Sequence, residues 1–280
     1  MNHSIRAVLF ISGEDSDTTK SASIRHWARP TLAKLHGSCN YYLVERPDPT
    51  KQRVSEGETM KLTPEQMPEL LRYVAKDRVR KVGSVSEIGA GQSDKTLTQF
   101  GTLEGAHSSS DLVVMPVRPG QKSDKLVETI ASYIAAGFDP TKLALTYNLL
   151  EPGKTAADMW ATPAFSAAIP SIGMSLVDHS KRWGYRLLEN GIPSSDAIRK
   201  LRELPQYTIG MLASGQVDFE AEAAKLWEAG KDAEGDKVFE LHVMAMGAKS
   251  VVKHIDRMVQ ELFGLPASFT LAELPVSAEA

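Results

Sequence analysis

The sequence is poor in cysteine, has little excess charge and contains no long hydrophobic run. Cys39 is the only cysteine, which excludes an intrachain disulfide and a zinc site made from several cysteines. The formal net charge of −3 gives no reason to expect a surface that binds nucleic acid or membrane as a whole. The apolar runs fall well short of the roughly 20 residues of a spanning helix, and the run near the N-terminus is too short for a signal peptide. We therefore expect a cytoplasmic protein without a membrane span.

Metal-binding patterns are absent from the histidines. The seven histidines include no H-x-x-x-H or H-E-x-x-H spacing, and such spacings place two imidazoles on one face of a helix. The sequence therefore predicts no metal site.

The first half of the chain alternates strand patterns with helix patterns. Apolar or alternating runs predict strands over 6–12, 40–45, 81–88, 111–117 and 143–148, with a last short strand over 168–174. Amphipathic runs predict helices over 18–36, 64–77, 93–103 and 123–136, with a kink at Pro30. The stretches 46–63 and 151–170 have the composition of loops. This repetition is typical of a three-layer α/β fold, a mostly parallel twisted sheet with helices on both faces.

The second half has a different pattern. From about residue 176 onward the sequence predicts helices only, over 176–190, 194–203, 219–229 and 234–263. We therefore expect an α/β core over 1–175, a helical region packed on it over 176–266, and a tail over 267–280. Gly247 lies in the middle of the longest helix, where glycine costs about 1 kcal/mol relative to alanine. Its presence there predicts close packing of another helix.

The stretch LFISGEDSDTTKSASIRHW, residues 9–27, predicts a strand, a glycine loop and a helix. A phosphate-binding P-loop lies between such elements, with the pattern G-x-x-x-x-G-K-[ST]. In this chain Gly13 and the hydroxyls are present, whereas Ser16 and Asp17 replace the glycine and the lysine that precede those hydroxyls, and two residues instead of four separate Gly13 from Ser16. The residues of this loop are Gly13, Glu14, Asp15, Ser16, Asp17, Thr18 and Thr19.

The acidic side chains of this loop oppose the binding of a triphosphate. A like-charge pair 4 Å apart costs about 4 kcal/mol at an effective dielectric constant of 20. Lys20, the nearest lysine, lies about one turn further into the predicted helix. Taken alone, the loop is equally well explained as an ordinary strand-to-helix turn, because acidic residues suit the N-terminus of a helix.

The order and spacing of several segments resemble the ParA/MinD group of P-loop ATPases, and most of all the StbB-type plasmid stabilisation proteins. FISGEDSDTT resembles the Walker A segment, RHWARPTL the first helix, and SEIGAGQSDKTLTQF the Walker B strand with its D-x-G-A segment. The longest match is SSSDLVVMPVRPGQKSDKLVETIASYIAAGFDPTKLALTYNLLEP, and FELHVMAMGAKSVVKHIDRMVQELFG resembles the closing helix. The resemblance covers roughly residues 5–150 and 235–265. It implies a P-loop NTPase-like core.

The resemblance also implies roles for four residues outside the loop. Glu87 stands where the family has the Walker B aspartate, and Gly89 follows in the same segment. Asn148 falls at the position of the asparagine that contacts the base. Asp48 lies near the position of the family's catalytic aspartate in the switch segment after the second strand.

Both signature lysines of the family's Walker A loop are missing, since Ser12 and Asp17 hold their positions. Hydrolysis is usually lost without a cation that offsets the developing phosphoryl charge. The resemblance therefore implies a pseudo-ATPase adaptor in plasmid maintenance, with weak or absent ATPase activity. ATP and Mg²⁺ are the cofactors if the loop still binds. An active but atypical ATPase, with its lysine supplied by Lys20 or in trans, is the alternative.

The partners that this hypothesis implies are a second copy of the chain and either a small DNA-binding protein or a relaxosome component. The segment KRWGYR interleaves basic and aromatic residues, a composition that suits phosphate contact and base stacking. Lys181, Arg182 and Arg186 are therefore candidates for DNA contact, although the sequence favours a half-buried helix face over that role. A Rossmann-like small-molecule enzyme is a further alternative. It is disfavoured because G-x-G-x-x-G does not follow the first strand, and GAGQSD at 89–94 has only two glycines.

Overall fold

One parallel sheet organises the chain. The structure is a computed structural model and describes residues 5–11, 20–45, 59–89, 100–204 and 206–273. Its strands are β1 (Ala7–Phe10), β2 (Cys39–Val44), β3 (Thr59–Leu62), β4 (Gly83–Ile88), β5 (Leu112–Val117), β6 (Leu143–Leu150) and β7 (Arg186–Pro193). They lie in the order 3-2-4-1-5-6-7, and every neighbouring pair is parallel. The predicted three-layer α/β fold is confirmed.

The helices cover both faces of this sheet. In the first half they are α1 (Lys20–Ser23), α2 (Arg29–His36), α3 (Met67–Arg80), α4 (Ala106–Ser109) and α5 (Ser123–Ala135). In the second half they are α6 (Ala156–Trp160), α7 (Pro163–Ser166), α8 (Leu176–Trp183), α9 (Asp196–Lys200), α10 (Ile209–Ser214), α11 (Phe219–Glu228) and α12 (Asp232–Phe263). Short 3₁₀ turns cover Pro64–Gln66, Pro140–Lys142 and Leu271–Glu273. Among the described helices, none is long and apolar enough to cross a membrane.

Alternate side chains of the strands supply two separate cores. Val8 and Phe10 belong to the front core, which they share with α1, α2 and the helices α9 to α12. Leu9 and Ile11 belong to the back core, with α3 and the helices α4 to α8. Burial on both faces explains why β5 reads as an uninterrupted apolar run, LVVMPV, in which every residue is buried.

The helix after β1 contains a widened turn where the sequence predicts a kink. Residues Ile24–Ala28 are π-helical and join α1 to α2 without a break. Arg29 donates its backbone N–H to the carbonyl of Ile24, five residues earlier. Pro30 follows directly and has no N–H for the carbonyl four residues before it. The proline therefore accounts for a local change of helical period.

Trp27 ties this widened turn to the front core. Its ring is fully buried, 5.5 Å from the ring of Phe10 in β1. On its other side the ring of Phe263, at the end of α12, lies 6.4 Å away in an edge-on arrangement. Aromatic pairs at these separations contribute beyond the area that they bury. The tryptophan thus joins the first strand to the last helix.

Two predictions about strands and helices are wrong. Residues 59–62 form the edge strand β3, although 46–63 has the composition of a loop, because an edge strand exposes Met60 and Lys61. Residues 186–193 form β7, although the sequence predicts a helix to residue 190. Gly184 ends α8 with a φ of 79°, and β7 extends the sheet beyond the predicted core boundary at residue 175.

Three smaller expectations also differ from the structure. The predicted short strand over 168–174 is reduced to a single bridge between Ile169 and Met174. The predicted loop over 151–170 contains α6 and α7. A Cβ at Gly247 would meet no atom within 4 Å among the described residues, so the predicted close packing there is wrong. It is Gly235 that is closely packed, because a Cβ there would lie 2.4 Å from the Trp227 ring.

Candidate functional site

The strand order places a candidate site at the carboxyl end of β1. From β1 the chain passes across the front face to β2, whereas from β4 it crosses over β1 to β5 on the back face. One crossover therefore runs from β1 towards the β3 side of the sheet, and the other runs from β4 towards the β7 side. Ligands of open α/β sheets bind outside the carboxyl ends of the strands at such a switch point. We call the end of the sheet where β1, β4, β5 and β6 finish the carboxyl edge.

The described residues on either side of the predicted phosphate loop lie at this edge. The structure describes Ile11, whose N–H donates to Val114 of β5 at 3.0 Å, and it describes the chain again from Lys20. The predicted loop residues Gly13 to Thr19, together with Ser12, lie outside the described residues, as does Asp48. Of the predicted site residues, Glu87, Gly89 and Asn148 are described.

Lys20 lies at the carboxyl edge. It is the first residue of α1, its side chain is buried, and its ammonium donates to the backbone carbonyl of Ile88, the last residue of β4. A lysine ammonium almost never stays buried without partners. The first helical turn after β1 therefore brings a positive charge to the end of β4. By sequence, Lys20 lies about one turn too far along the chain for the P-loop lysine, and its position did not suggest this contact.

Glu87 is buried on the front face, one residue before the end of β4. Its carboxylate accepts a hydrogen bond from the Tyr41 hydroxyl of β2. The Ser21 hydroxyl of α1 lies 3.2 and 3.3 Å from its two oxygens. A carboxylate held between two hydroxyl donors has its position fixed by two other elements. Tyr41 and Ser21 are contacts that the sequence analysis missed.

Gly89 marks a close approach of two strand ends. A Cβ on Gly89 would lie 3.0 Å from the Cβ of Glu45 and 3.1 Å from the carbonyl oxygen of Val44. The Gly89 N–H also donates to that carbonyl, at 2.8 Å. A side chain at this position would push the end of β2 away from β4. The glycine therefore has a packing reason that is independent of any nucleotide.

Asn148 lies on the same face as Glu87, three strands away in β6. It is completely buried, and its Nδ2 donates to the Ser23 hydroxyl at 3.1 Å. Ser21 and Ser23 are two positions apart, so their side chains point to opposite sides of the helix, roughly 200° apart. The start of the helix after the predicted loop is thus held between Glu87 on one side and Asn148 on the other. The base-contacting role of Asn148 stays a prediction.

Backbone strain follows Asn148 directly. Leu149 has a φ of 62°, which side chains other than glycine, asparagine and aspartate adopt at a cost of roughly 1–2 kcal/mol. The pairing of β6 with β7 shifts register at this point. Gly191 makes the shift sterically feasible, because a Cβ there would lie 2.2 Å from the carbonyl of Tyr147. Such irregularities are common beside functional sites.

The turn after β5 adds polar groups to the same edge. The backbone N–H of Arg118 donates to Gln121 Oε1 at 3.2 Å. Arg118 Nε and Gln121 Nε2 are buried and have no hydrogen-bond partner among the described residues. Buried donors without an acceptor are rare, and one explanation is an acceptor supplied from outside the chain. Both follow the strand VVMPV, so the rule that ligands lie at carboxyl ends of strands could have found them.

The candidate DNA contacts lie elsewhere. Lys181 and Arg182 end α8 just before β7 begins, at the opposite, amino end of the sheet. The Lys181 side chain is highly exposed, and the Arg182 guanidinium lies 6.0 Å from the ring centre of Trp183. Arg186 is used inside the fold, where it donates to the carbonyl of Leu262 at 3.2 Å. The structure therefore does not bring this basic segment together with the carboxyl edge.

Two other features do not form a rival site. A surface cleft of about 490 Å³ lies among the C-terminal helices, but Lys237 and Glu203 in its lining pair with each other at 3.3 Å. Cys39 is buried, and burial raises the pKa of its thiol to about 12, which keeps it protonated and unreactive. Within the described residues, no group of three or more His, Cys, Asp or Glu side chains could hold a metal ion.

Comparison with known proteins adds no family assignment. No protein-family model matches this chain, and no curated protein matches it either.

Proposed function

We propose that this chain is a ParA-like, StbB-like plasmid maintenance protein that acts as a non-hydrolysing adaptor in partition, stabilisation or conjugative transfer. The observation that carries the proposal is the reversal of strand order at β1. Because of it, the loop that resembles a Walker A segment follows the one strand whose carboxyl end is a switch point. Glu87 and Asn148, two of the three described residues with family roles, flank the helix that leaves this loop.

The adaptor role follows from the charges of the loop. Glu14, Asp15 and Asp17 stand where a phosphate-binding loop needs a lysine and backbone donors. Such a loop repels a triphosphate and attracts a basic side chain. A partner that inserts an arginine or lysine at this edge is therefore a better occupant than ATP. The small DNA-binding protein or relaxosome component expected from the resemblance has the charge for that role.

The position of Lys20 favours a second candidate, an atypical Mg²⁺-dependent ATPase. Its ammonium reaches the carboxyl end of β4, next to the strand that precedes the loop. In this alternative Lys20 leaves the Ile88 carbonyl and contacts the phosphates. Replacement of Lys20 by methionine would then abolish ATP hydrolysis, with Lys154→Met as the matched control at an exposed loop position.

A plasmid-retention experiment tests the proposed function. A host plasmid lacking this gene is complemented with the wild-type chain, with Lys20→Met or with Asp17→Lys, and plasmid loss and transfer frequency are measured. The adaptor role predicts that wild type and Lys20→Met restore retention or transfer and that Asp17→Lys does not. The ATPase role predicts that Lys20→Met fails. If deletion changes neither plasmid loss nor transfer, the plasmid function is wrong.

A further inference from the structure

Helix α12 exposes an apolar stripe on the side away from the core. Phe239, Val243 and Met246 follow one another at steps of four and three, so they share one face. Val243 is 65% exposed and Met246 is 90% exposed. Gly247 beside them has open space around its Cα. The opposite face of α12 already packs in the front core, through residues such as Leu241. Core packing therefore does not explain the stripe, which we call the outer face of α12.

Charges of opposite sign flank this outer face. Asp236 and Glu240 lie on its N-terminal side, and Lys253 and Arg257 lie on its C-terminal side, all of them exposed. The helix dipole favours this polarity only within the first and last turns. These four residues lie outside those turns, because α12 runs from Asp232 to Phe263. The dipole therefore does not account for their order along the helix, and within the chain Asp236 accepts a hydrogen bond from Trp227 at 3.1 Å.

The charges that flank the outer face are self-complementary about its midpoint, whereas Val243 and Phe239 face Ser250 and His254 of the second copy. If two copies of α12 meet antiparallel with a two-fold axis between Met246 and Gly247, each residue faces the one equally far beyond the midpoint. Glu240 then faces Lys253 of the second copy, and Met246 faces Gly247. By the same rule Asp236 faces Arg257, so all four flanking charges meet opposite charges. A parallel pairing would instead place Glu240 against Glu240.

We propose that the chain forms a homodimer through antiparallel contact of the outer faces of α12. Gly247, where a Cβ would meet no atom within 4 Å in the part of the chain that the structure describes, lets the Met246 side chain of the second copy lie against the backbone. Residues 236–257 form a contact roughly 32 Å long at 1.5 Å per residue. A surface of this kind is isologous, as closed two-fold dimers require. Glu240 also pairs with Lys200 at 2.7 Å, and its side chain stays 51% exposed, so the carboxylate has room for a second cation.

The first test is the mass of the full chain in solution as a function of concentration, by sedimentation or light scattering. We expect wild type to shift from the mass of one chain to twice that mass. Met246→Asp should raise the dissociation constant of the dimer at least tenfold. Val79→Asp is the matched control, because Val79 is 85% exposed on α3 and lies outside the outer face. A wild type that stays monomeric at all concentrations, or a dimer that Met246→Asp leaves intact, overturns the proposal.

A charge exchange tests the antiparallel register. Glu240→Lys alone places lysine against Lys253 of the second copy, and Lys253→Glu alone places glutamate against Glu240. Each variant should be monomeric by itself, and an equimolar mixture should form a heterodimer. Repulsion between the new lysine and Lys200 cannot produce this recovery, so a folding defect is distinguished from loss of the interface. A mixture that stays monomeric, or single variants that dimerise as wild type does, overturns the register.

Discussion

The two ends of the parallel sheet differ in the polar contacts that they contain. At the amino edge, where the strands begin, Asp111 accepts from the backbone N–H groups of Arg6 and Ala7, at 2.9 Å each. Its other oxygen accepts from Arg78 at 2.6 Å. The Arg6 guanidinium in turn donates to the Lys81 carbonyl at 2.8 Å. This network joins the chain at the beginning of β1, at the beginning of β5 and at the end of α3.

The carboxyl edge is built from a different set of groups. It contains buried donors of Arg118 and Gln121 that lack partners within the described residues, the strained backbone of Leu149, and a lysine ammonium at a strand end. Paired groups stabilise a fold, whereas incompletely paired groups and strain are retained where something else is gained. The amino edge contains features of the same kind, because Arg78 Nε is a buried donor without a partner among the described residues and Lys81 has a φ of 60°. What distinguishes the amino edge is the network around Asp111, so substitutions there should reduce stability most.

The largest expected effect is at the amino edge. Asp111→Ala removes three hydrogen bonds to one carboxylate and leaves two backbone donors without an acceptor, so the free energy of unfolding should fall by about 3 kcal/mol. Denaturant unfolding measures it. Asp196→Ala, at a highly exposed helix position, is the control and should change the value by less than about 0.5 kcal/mol. Equal losses of unfolding free energy for Asp111→Ala and Asp196→Ala would show that the Asp111 network does not stabilise the amino edge.

The front layer, which spans both edges, gives a pH-dependent prediction. His26 is buried, its Nδ1 accepts from the Ile209 N–H at 3.3 Å, and burial, with Arg25 and Arg202, lowers its pKa to about 3. The unfolded chain binds the proton below about pH 6.5, and the folded chain does so only near pH 3. The contribution of His26 is therefore complete above pH 6.5 and is lost as the pH falls towards 3, at up to about 1.4 kcal/mol per pH unit.

His26→Asn keeps an acceptor for Ile209 and removes the titrating group. Its free energy of unfolding should consequently depend less on pH than that of wild type between pH 6.5 and 4.5. The measurement is denaturant unfolding at several pH values in that window. Identical slopes for His26→Asn and wild type would show that the histidine is not held neutral.

The smallest expected effect is at the carboxyl edge. Leu149→Asn places a residue that tolerates positive φ at the strained position, which offsets the loss of a half-buried leucine. The free energy of unfolding should stay unchanged or rise by up to about 1 kcal/mol. The same change at Leu187 of β7, a partly buried residue with ordinary backbone, should lower it by about 1–2 kcal/mol. If Leu149→Asn lowers the free energy of unfolding as much as Leu187→Asn does, the backbone at Leu149 is not strained.

Periodicity predicted the elements that are buried and regular, and it failed at the margins of the sheet. β5 and α12 were found because burial forces a continuous apolar run in one and an apolar stripe in the other. β7 was missed because Glu189 and Asn190 interrupt its apolar pattern. Their backbone N–H groups are satisfied by Glu261 of α12, at 2.9 and 3.2 Å, and a contact across 71 residues leaves no local signal.

The same limit applies to the candidate site. Glu87 and Asn148 were singled out by their order along the chain, but their partners Tyr41 and Ser23 come from other elements. Tyr41 meets Glu87 only because β2 pairs with β4 in the register that sets Leu43 beside Glu87. Register and helix placement are tertiary properties, so sequence patterns named the residues at the carboxyl edge without their contacts.

Titration calorimetry with ATP, ADP and GTP, with and without Mg²⁺, is the most direct test of the proposed loss of phosphate binding at the carboxyl edge. Wild type is compared with the double variant Ser16→Gly, Asp17→Lys, which restores the second glycine and the lysine of the P-loop pattern. The account predicts no binding heat for wild type and Mg²⁺-dependent binding of a nucleotide by the double variant. Micromolar binding by wild type would contradict the account and would direct attention to Lys20 as the cation that replaces the missing lysine.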